Sequence, residues 1–469
     1  MTIDMRRQIT DGLQLFCQRH FQADPQRVSR ITAGANMEIW AFDSAGQELI
    51  LRRHPGGVPP QENEGGLSLN HEASVVELAH GHGVLAPRVI GRLQPSDGLG
   101  VGFVMARAPG EALPYKLFKD AAYAPALENF SQDCATQLAK IHSITPEQVE
   151  VSLPALSSAQ SLASLKTALD AFGVAIPAYS LALHWLQKNI PETAPPSLLH
   201  GDFRMGNLLI DETGLSAVLD WELAHFGDPA EDLAWLCMPS WRFGVYHKPV
   251  GGVGQIEDLL AAYHRASGQK IERKRFDFWL VYATLRWGMM TLKMTDIWRK
   301  GLDRSMERAL IGTRASEVEL DLLLMLEDDA ETSDKLEADF SLPEVATPSA
   351  EPQISELIAA MTGWIQDDLM TRETGAHLFN ARVGVNNLSI IQRMNDFGPE
   401  FQNRAEQRLA ALGLSHEQLC AGLYEGHVRL TMPGLLTHLR LLALERLSMH
   451  QPRYVGLKVA KQKWQIPEA

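Results

Sequence analysis

The chain has 469 residues, 45% of them hydrophobic and 21% charged, a balance that favours globular folding and excludes disorder throughout. A formal net charge of −14 argues against a general nucleic-acid binder or a protein that adheres to anionic membranes. Cys17, Cys134, Cys237 and Cys420 lie far apart with no C-x-x-C pair, so neither a zinc site nor a disulfide framework is signalled, and a reducing cytoplasm is the expected compartment. The opening MTIDMRRQITDGL carries charges and no apolar leader core, and no apolar run is long enough to span a bilayer, so a soluble chain without a membrane partner is expected.

In chain order, Ile9–His20 has helical spacing of apolar residues. Arg27–Asp43 reads as strand, turn and strand, with Gly34-Ala35-Asn36 at the tip, and Glu48–His54 as a strand with alternating apolar residues. Pro55–Gly66 is a loop. Asn70–Gly81 is a short amphipathic helix with Glu72 in its first turn, where an acid also complements the helix dipole. Pro87–Leu93 and Val101–Met105 read as two more strands, and Gly98–Gly102 between them as a tight turn. From about Pro114 the pattern turns helical. Phe130–His142 ends in a histidine assigned to core packing, and Leu156–Lys188 supplies further helices.

The densest chemistry lies in Ser197–Leu236. Leu198–Leu199 lead into a polar loop, His200–Asn207, and Leu208–Ile210 with Ala217–Leu219 form a hairpin across Asp211–Gly214. The hairpin brings Asp220, at the end of its second strand, close to Asn207, at the start of its first. Asp202 joins them. An acid, an amide and a second acid in one place form a set suited to phosphoryl transfer, with one carboxylate for the attacking hydroxyl and two oxygen donors for Mg²⁺. The same residues serving only as loop caps would not need a second acid across a hairpin.

Asp202 and Asn207 have the D-x-x-x-x-N spacing of the protein-kinase catalytic loop, with His200-Gly201-Asp202 in place of H-R-D and Asp220-Trp221-Glu222 in place of D-F-G. Those departures resemble the aminoglycoside phosphotransferase family, whose signature is H-G-D-x-x-x-x-N followed by a strand ending in Asp. The resemblance covers about residues 20–320. It implies an α+β, protein-kinase-like two-lobed fold with a small β-rich N-lobe and a helical C-lobe. It also implies a site with ATP, or GTP as the alternative, and Mg²⁺. Within that plan Asp202 is the base and Arg204 a contact to the transferred phosphate. Asn207 and Asp220 are the metal ligands. Gly34 and Asn36 lie over the nucleotide phosphates, Arg52 grips them in the place of the usual lysine, and Glu72 orients Arg52. Arg53 is the alternative if the strand register slips by one. Backbone groups of Met105 and Ala106 would read the adenine edge. His200 props the loop, while Asp228, Glu231 and Asp232 belong to a helix start.

Trp241-Arg242-Phe243-Gly244 and Arg286-Trp287-Gly288 resemble the subgroup related to the kinase-like domain fused to acyl-CoA dehydrogenases. Either an acceptor pocket or a core seam fits those residues. Residues 327–352 are rich in Asp, Glu, Ser, Thr and Pro and read as an acidic linker. Helices are expected at Ile354–Thr371, Glu373–Asn395, Pro399–Ala411, Ser415–Glu425 and Leu435–Ser448, then a lysine-bearing tail. This segment resembles a small helical domain of unknown function that accompanies such kinases. Its His377, Arg382, Asn386 and Arg393 are assigned to a solvated face. The resulting domain plan is 1–107 N-lobe, 108–326 C-lobe, 327–352 linker and 353–469 an all-α domain.

The expected function is transfer of a γ-phosphoryl group to a hydroxyl of a small molecule, a hydroxyacyl compound being one candidate. The alternative is a pseudokinase whose helical tail recruits a partner. A protein partner or a dimer contact through the C-terminal helices stays open.

Overall fold

The structure, a computed structural model, describes residues 3–31, 37–59, 66–330, 336, 338–344 and 351–466. Strands β1 (Gln26–Ile31), β2 (Glu38–Ser44), β3 (Gln47–Arg53), β4 (Val89–Arg92) and β5 (Gly102–Ala106) form an antiparallel sheet in the order β1-β2-β3-β5-β4. Helix α1 (Ile3–Phe21) lays Ile9, Leu13, Phe16 and Cys17 on one face of this sheet, against Trp40, Phe42, Leu49 and Leu51. Helix α2 (Leu69–Gly81) covers the other face, where Leu69 and Ala73 meet Phe103. Side chains alternate faces along a strand. On β3, Arg53 therefore shares the α1 face with Leu49 and Leu51, and Arg52 points to the α2 face.

The second lobe is helical: α3 (Pro114–Lys119), α4 (Ala124–His142), α5 (Ser158–Ala171) and α6 (Pro177–Lys188) precede four short strands. Strand β6 (Ser197–Leu199) pairs with β9 (His225–Gly227), and β7 (Leu208–Asp211) pairs with β8 (Gly214–Val218), which gives the expected hairpin. Helices α7 (Ala230–Cys237), α8 (Ile256–Ser267), α9 (Arg273–Arg299), α10 (Met306–Ile311) and α11 (Ala315–Leu326) complete the lobe. Strand β9 and helix α10 were not foreseen, because segments of three and six residues carry too little periodicity to register.

The C-terminal part comprises α12 (Ile354–Trp364), α13 (Met370–Arg372), α14 (Gly375–Leu412), α15 (His416–Glu425), α16 (Leu435–His450) and α17 (Val455–Lys463). It does not stand apart. Helix α11 gives Val318, Leu322 and Leu326 to the main core and Leu320 and Leu323 to the C-terminal core, so one helix seals both. Polar ties reinforce the joint: Arg446 to Glu319 at 2.6 Å, Tyr454 to Asp321 at 2.6 Å and Arg440 to Glu327 at 2.9 Å. Each of these carboxylates is buried, and each would be costly without its partner.

Three expectations for this region need correction. The break expected at Pro399 is absent, and α14 runs through it. Contacts to α16 hold both halves in line, with Arg393 Nε on Met449 O at 2.7 Å and Arg408 on Glu445 at 2.6 Å. The lysine-bearing tail is helix α17, anchored by Leu457, Ala460 and the fully buried Trp464. The acidic stretch begins as a docked turn, for Glu327 accepts from Arg440 and from the Trp464 indole at 2.9 Å. Of the supposed solvated face, His377, Arg382 and Asn386 are exposed and Arg393 is half-buried. Among the described residues no helix is long and apolar enough to cross a membrane.

Candidate active site

The His200–Asn207 loop is fixed from beneath by one buried acid. Asp232, in the first turn of α7, accepts from the amides of His200 (2.7 Å) and Gly201 (2.9 Å). His142 Nε2 lies 3.2 Å from the same carboxylate, and its Nδ1 is 2.9 Å from the Tyr263 hydroxyl. His200 closes the loop internally. Its Nε2 donates to Leu219 O (3.0 Å) and its Nδ1 accepts from the Asp202 amide (3.2 Å). Those roles require a neutral ring, and burial pushes the His200 pKa down accordingly. Gly201 has φ +82, and a Cβ there would sit 2.2 Å from Leu223 O, so glycine is required by both backbone and space.

Asp202 leaves this loop with both oxygens engaged. Oδ1 accepts from the Trp235 indole at 2.7 Å and Oδ2 from Asn207 Nδ2 at 2.6 Å. Arg204 Nε spans both, at 3.0 and 3.2 Å. The Arg204 guanidinium lies 4.7 Å from the centre of the Trp241 ring, and among the described residues its terminal nitrogens have no hydrogen-bond partner. Arg286 stacks at 4.9 Å on Trp235 and pairs with Glu231 at 3.2 Å. Trp241 and Arg286 of the aromatic–arginine run thus pack on the side chains that hold Asp202.

Asp220 follows β8 with φ +67, an uncommon backbone for a non-glycine residue. The Leu219 amide donates to Asn207 O at 2.8 Å, which ties the two predicted metal ligands side by side. Arg52 reaches down from β3 and bridges the lobes. Its Nη2 is 2.6 Å from Asp220 Oδ1 and 3.3 Å from Glu222 Oε2, and its Nε is 3.1 Å from Glu72 Oε1. Burial opposes the charge on Arg52, but Glu72, Asp220 and Glu222 outweigh it and raise its pKa. Glu72 is itself raised, mainly by burial. Glu222 is pushed up to about 7 by burial first and then by Asp220.

Arg53, the register alternative, is excluded from this cluster. It lies on the opposite face, paired with Glu38 at 2.7 Å and bonded to Leu99 O at 3.0 Å. Gly34 and Asn36 lie outside the described residues. Met105 and Ala106 end β5 as foreseen, with one correction. The Ala106 amide donates to Arg88 O at 2.8 Å, so its N–H cannot serve a base edge. Glu222 and Trp235 were missed. Only the D-W-E wording hinted at the first, and nothing local distinguishes the second from a core tryptophan.

Among the described residues no group of three or more His, Cys, Asp or Glu side chains is arranged to hold a metal. Asn207 and Asp220 present hard oxygen donors, and a Mg²⁺ that arrives on nucleotide phosphates needs only one or two protein carboxylates. The donor set fits such an ion.

A family model described as "Phosphotransferase enzyme family" matches residues 27–279, more than half of the chain, and one for a domain of unknown function (DUF6285) matches residues 371–454. Acyl-CoA dehydrogenase family member 11 of Pongo abelii is 24% identical over 274 residues, covering 54% of this chain and 34% of that protein. Family member 10 of Mus musculus is 25% identical over 226 residues, covering 46% of this chain and 20% of that protein. The chain thus spans about a third or less of these curated relatives. A solved structure from Ralstonia eutropha JMP134, assigned provisionally as an aminoglycoside phosphotransferase, covers 68% of this chain and 98% of its own, with a TM-score of 0.53 at 19% identity. That likeness shows the fold, a kinase-like pair of lobes followed here by further helices. With its family match over residues 27–279, this chain belongs to the phosphotransferase enzyme family.

Proposed function

We propose that this protein transfers the γ-phosphoryl group of ATP, bound with Mg²⁺, to a hydroxyl of a small molecule, with GTP as the alternative nucleotide. Family membership supports the reaction class. One observation carries the reading: Asp202, Asn207 and Asp220 converge at the β7–β8 hairpin beneath an arginine held by Glu72. Asp202 takes the proton of the attacking hydroxyl, a role typically worth ~10²–10⁴ in rate. Trp235, Arg204 and Asn207 fix its orientation. Asn207 and Asp220 would hold the ion, which when bound supplies charge neutralisation to the phosphates. Arg52 and Arg204 add fixed positive charge beside the transferred group. Gly34 and Asn36 would contribute backbone N–H groups, and the base would lie along Met105 and Ala106, without the Ala106 amide as donor.

We assign residues 1–107 to nucleotide binding, 108–326 to catalysis and acceptor binding, 327–352 to a connecting stretch and 353–469 to a helical module, in a cytoplasmic protein. The likeness to acyl-CoA dehydrogenase family members points to a hydroxyacyl compound as acceptor. Incubation with MgATP and a panel of hydroxylated metabolites, followed by phosphorus NMR, tests the reaction. A new phosphate-ester signal with stoichiometric ADP is expected. Failure of every acceptor would favour a second reading, a nucleotide-binding scaffold. That reading draws on Ile354, Leu357, Met361 and Trp364, an exposed apolar stripe at helical spacing along α12 that suits a protein partner or a dimer contact.

A further inference from the structure

Between the catalytic lobe and the C-terminal helices lies a cleft of about 350 Å³ into which Arg242, Arg314 and Arg453 all open. No acidic side chain lines it. Arg314 is balanced by Glu317 at 2.9 Å. The other two have no ion pair among the described residues. Arg242 is buried and donates to two carbonyls, Cys237 O at 3.1 Å and Tyr246 O at 3.0 Å, and it interacts with Asp321 only across space. Arg453 is exposed, has no ion pair among the described residues, and sits close enough to Arg393 to disfavour that residue's charge. Of the acids behind its wall, Glu317 is taken by Arg314, and Asp321 is buried and accepts from the hydroxyls of Tyr246 (3.2 Å) and Tyr454 (2.6 Å).

A cleft lined by three arginines and no acid stands out in a chain of net charge −14. Half of its other lining residues are aromatic: Trp241, Phe243, Tyr246 and Tyr454. Rings and guanidinium groups together select an anion carried on an apolar skeleton. Two side chains link the cleft to the catalytic acid. Trp241, one of its walls, carries the Arg204 guanidinium at 4.7 Å, and Arg204 in turn holds Asp202 at 3.0 Å.

We propose that this cleft binds the anionic end, carboxylate or phosphate, of the acceptor whose hydroxyl is phosphorylated at Asp202, so that the C-terminal helices complete the acceptor site. The assignment rests on the phosphotransferase reading, but its first test does not depend on turnover. Calorimetric titration of the full chain with phenyl phosphate should show binding, and benzyl alcohol, its neutral counterpart, should show none. Arg453→Glu should weaken phenyl phosphate at least tenfold. Lys458→Glu, an equal charge change on α17 outside the cleft, should not. No binding to the wild type, or equal binding to Arg453→Glu, overturns the anion site.

The second test uses hydroxycarboxylates and their matching diols as acceptors. Arg453→Glu should raise KM for the hydroxycarboxylates at least tenfold more than for the diols. Equal effects on both would overturn the acceptor assignment. Phenyl phosphate binding without phosphorylation of any acceptor would count against the phosphotransferase reading and leave the anion site standing.

Discussion

The Trp235 indole donates a 2.7 Å hydrogen bond to Oδ1 of Asp202, the oxygen that Arg204 also contacts. Trp235 lies on α7, which also supplies Asp232 to the loop beneath Asp202, so one helix fixes both the loop and its acid. A hydrogen bond to a charged group contributes ~1.5–3 kcal/mol. Trp235→Phe should therefore lower kcat roughly tenfold to a hundredfold and leave nucleotide affinity close to wild type. Steady-state kinetics beside a nucleotide titration would check it, and an unchanged kcat would remove Trp235 from the site.

Arg52 is surrounded by Glu72, Asp220 and Glu222, so its removal strands three carboxylates at the lobe interface. Breaking a buried pair by deleting one partner costs about 3–5 kcal/mol. Arg52→Ala should unfold at lower temperature, whereas Arg52→Lys should stay folded and bind MgATP more weakly, because ammonium cannot reproduce the fork. Arg53→Lys should lower the melting temperature through Glu38 and leave MgATP affinity unaltered. Titration with a non-hydrolysable ATP analogue separates the two arginines.

Gly201→Ala should be destabilising despite its small size. The position has φ +82 and the new methyl would meet Leu223 O at 2.2 Å. The left-handed backbone alone costs roughly 1–2 kcal/mol for a non-glycine residue. A melting curve of the variant should shift downward, with loss of the loop amides on Asp232 visible as faster hydrogen exchange at residues 200–202.

Asp321 predicts a pH dependence. Burial raises its pKa to about 7, against the pull of the Tyr454 hydrogen bond and Arg242. In the unfolded chain the group ionises near ~3.9. Between those values the folded state holds a proton that the unfolded state has lost, so this group's contribution to stability falls as pH rises. It is fully favourable below the lower value and lost above the upper one, with a slope approaching ~1.4 kcal/mol per pH unit. Asp321→Asn removes the proton, so its melting temperature relative to wild type should climb from pH 4 to pH 7.

The reaction class was legible because its residues are local. Asp202 and Asn207 are five positions apart, and the hairpin that returns Asp220 to them spans a dozen residues with a turn in the middle. Arg52 was singled out by its place in the kinase plan, with Arg53 as the register alternative, and the two-residue period of β3 explains why Arg53 could not share its partners. Glu222 and Trp235 stayed hidden because their roles come from long-range packing, 170 and 33 positions from their partners. The joint at α11 stayed hidden for the same reason. Nothing in Ala315–Leu326 says that its two faces belong to two cores, and nothing in the acidic composition of residues 327–352 says that Glu327 is buried under Arg440 and Trp464. Pro399 misled because intrinsic helix-breaking yields to packing on both sides of it.

The most direct measurement compares wild type with Asp202→Asn for phosphoryl transfer from MgATP to one accepted hydroxyl compound. The substitution keeps the shape and removes the proposed base. The account predicts a kcat at least a hundredfold lower for Asp202→Asn, with the KM for ATP within a few-fold of wild type. Equal turnover by the two proteins would contradict it.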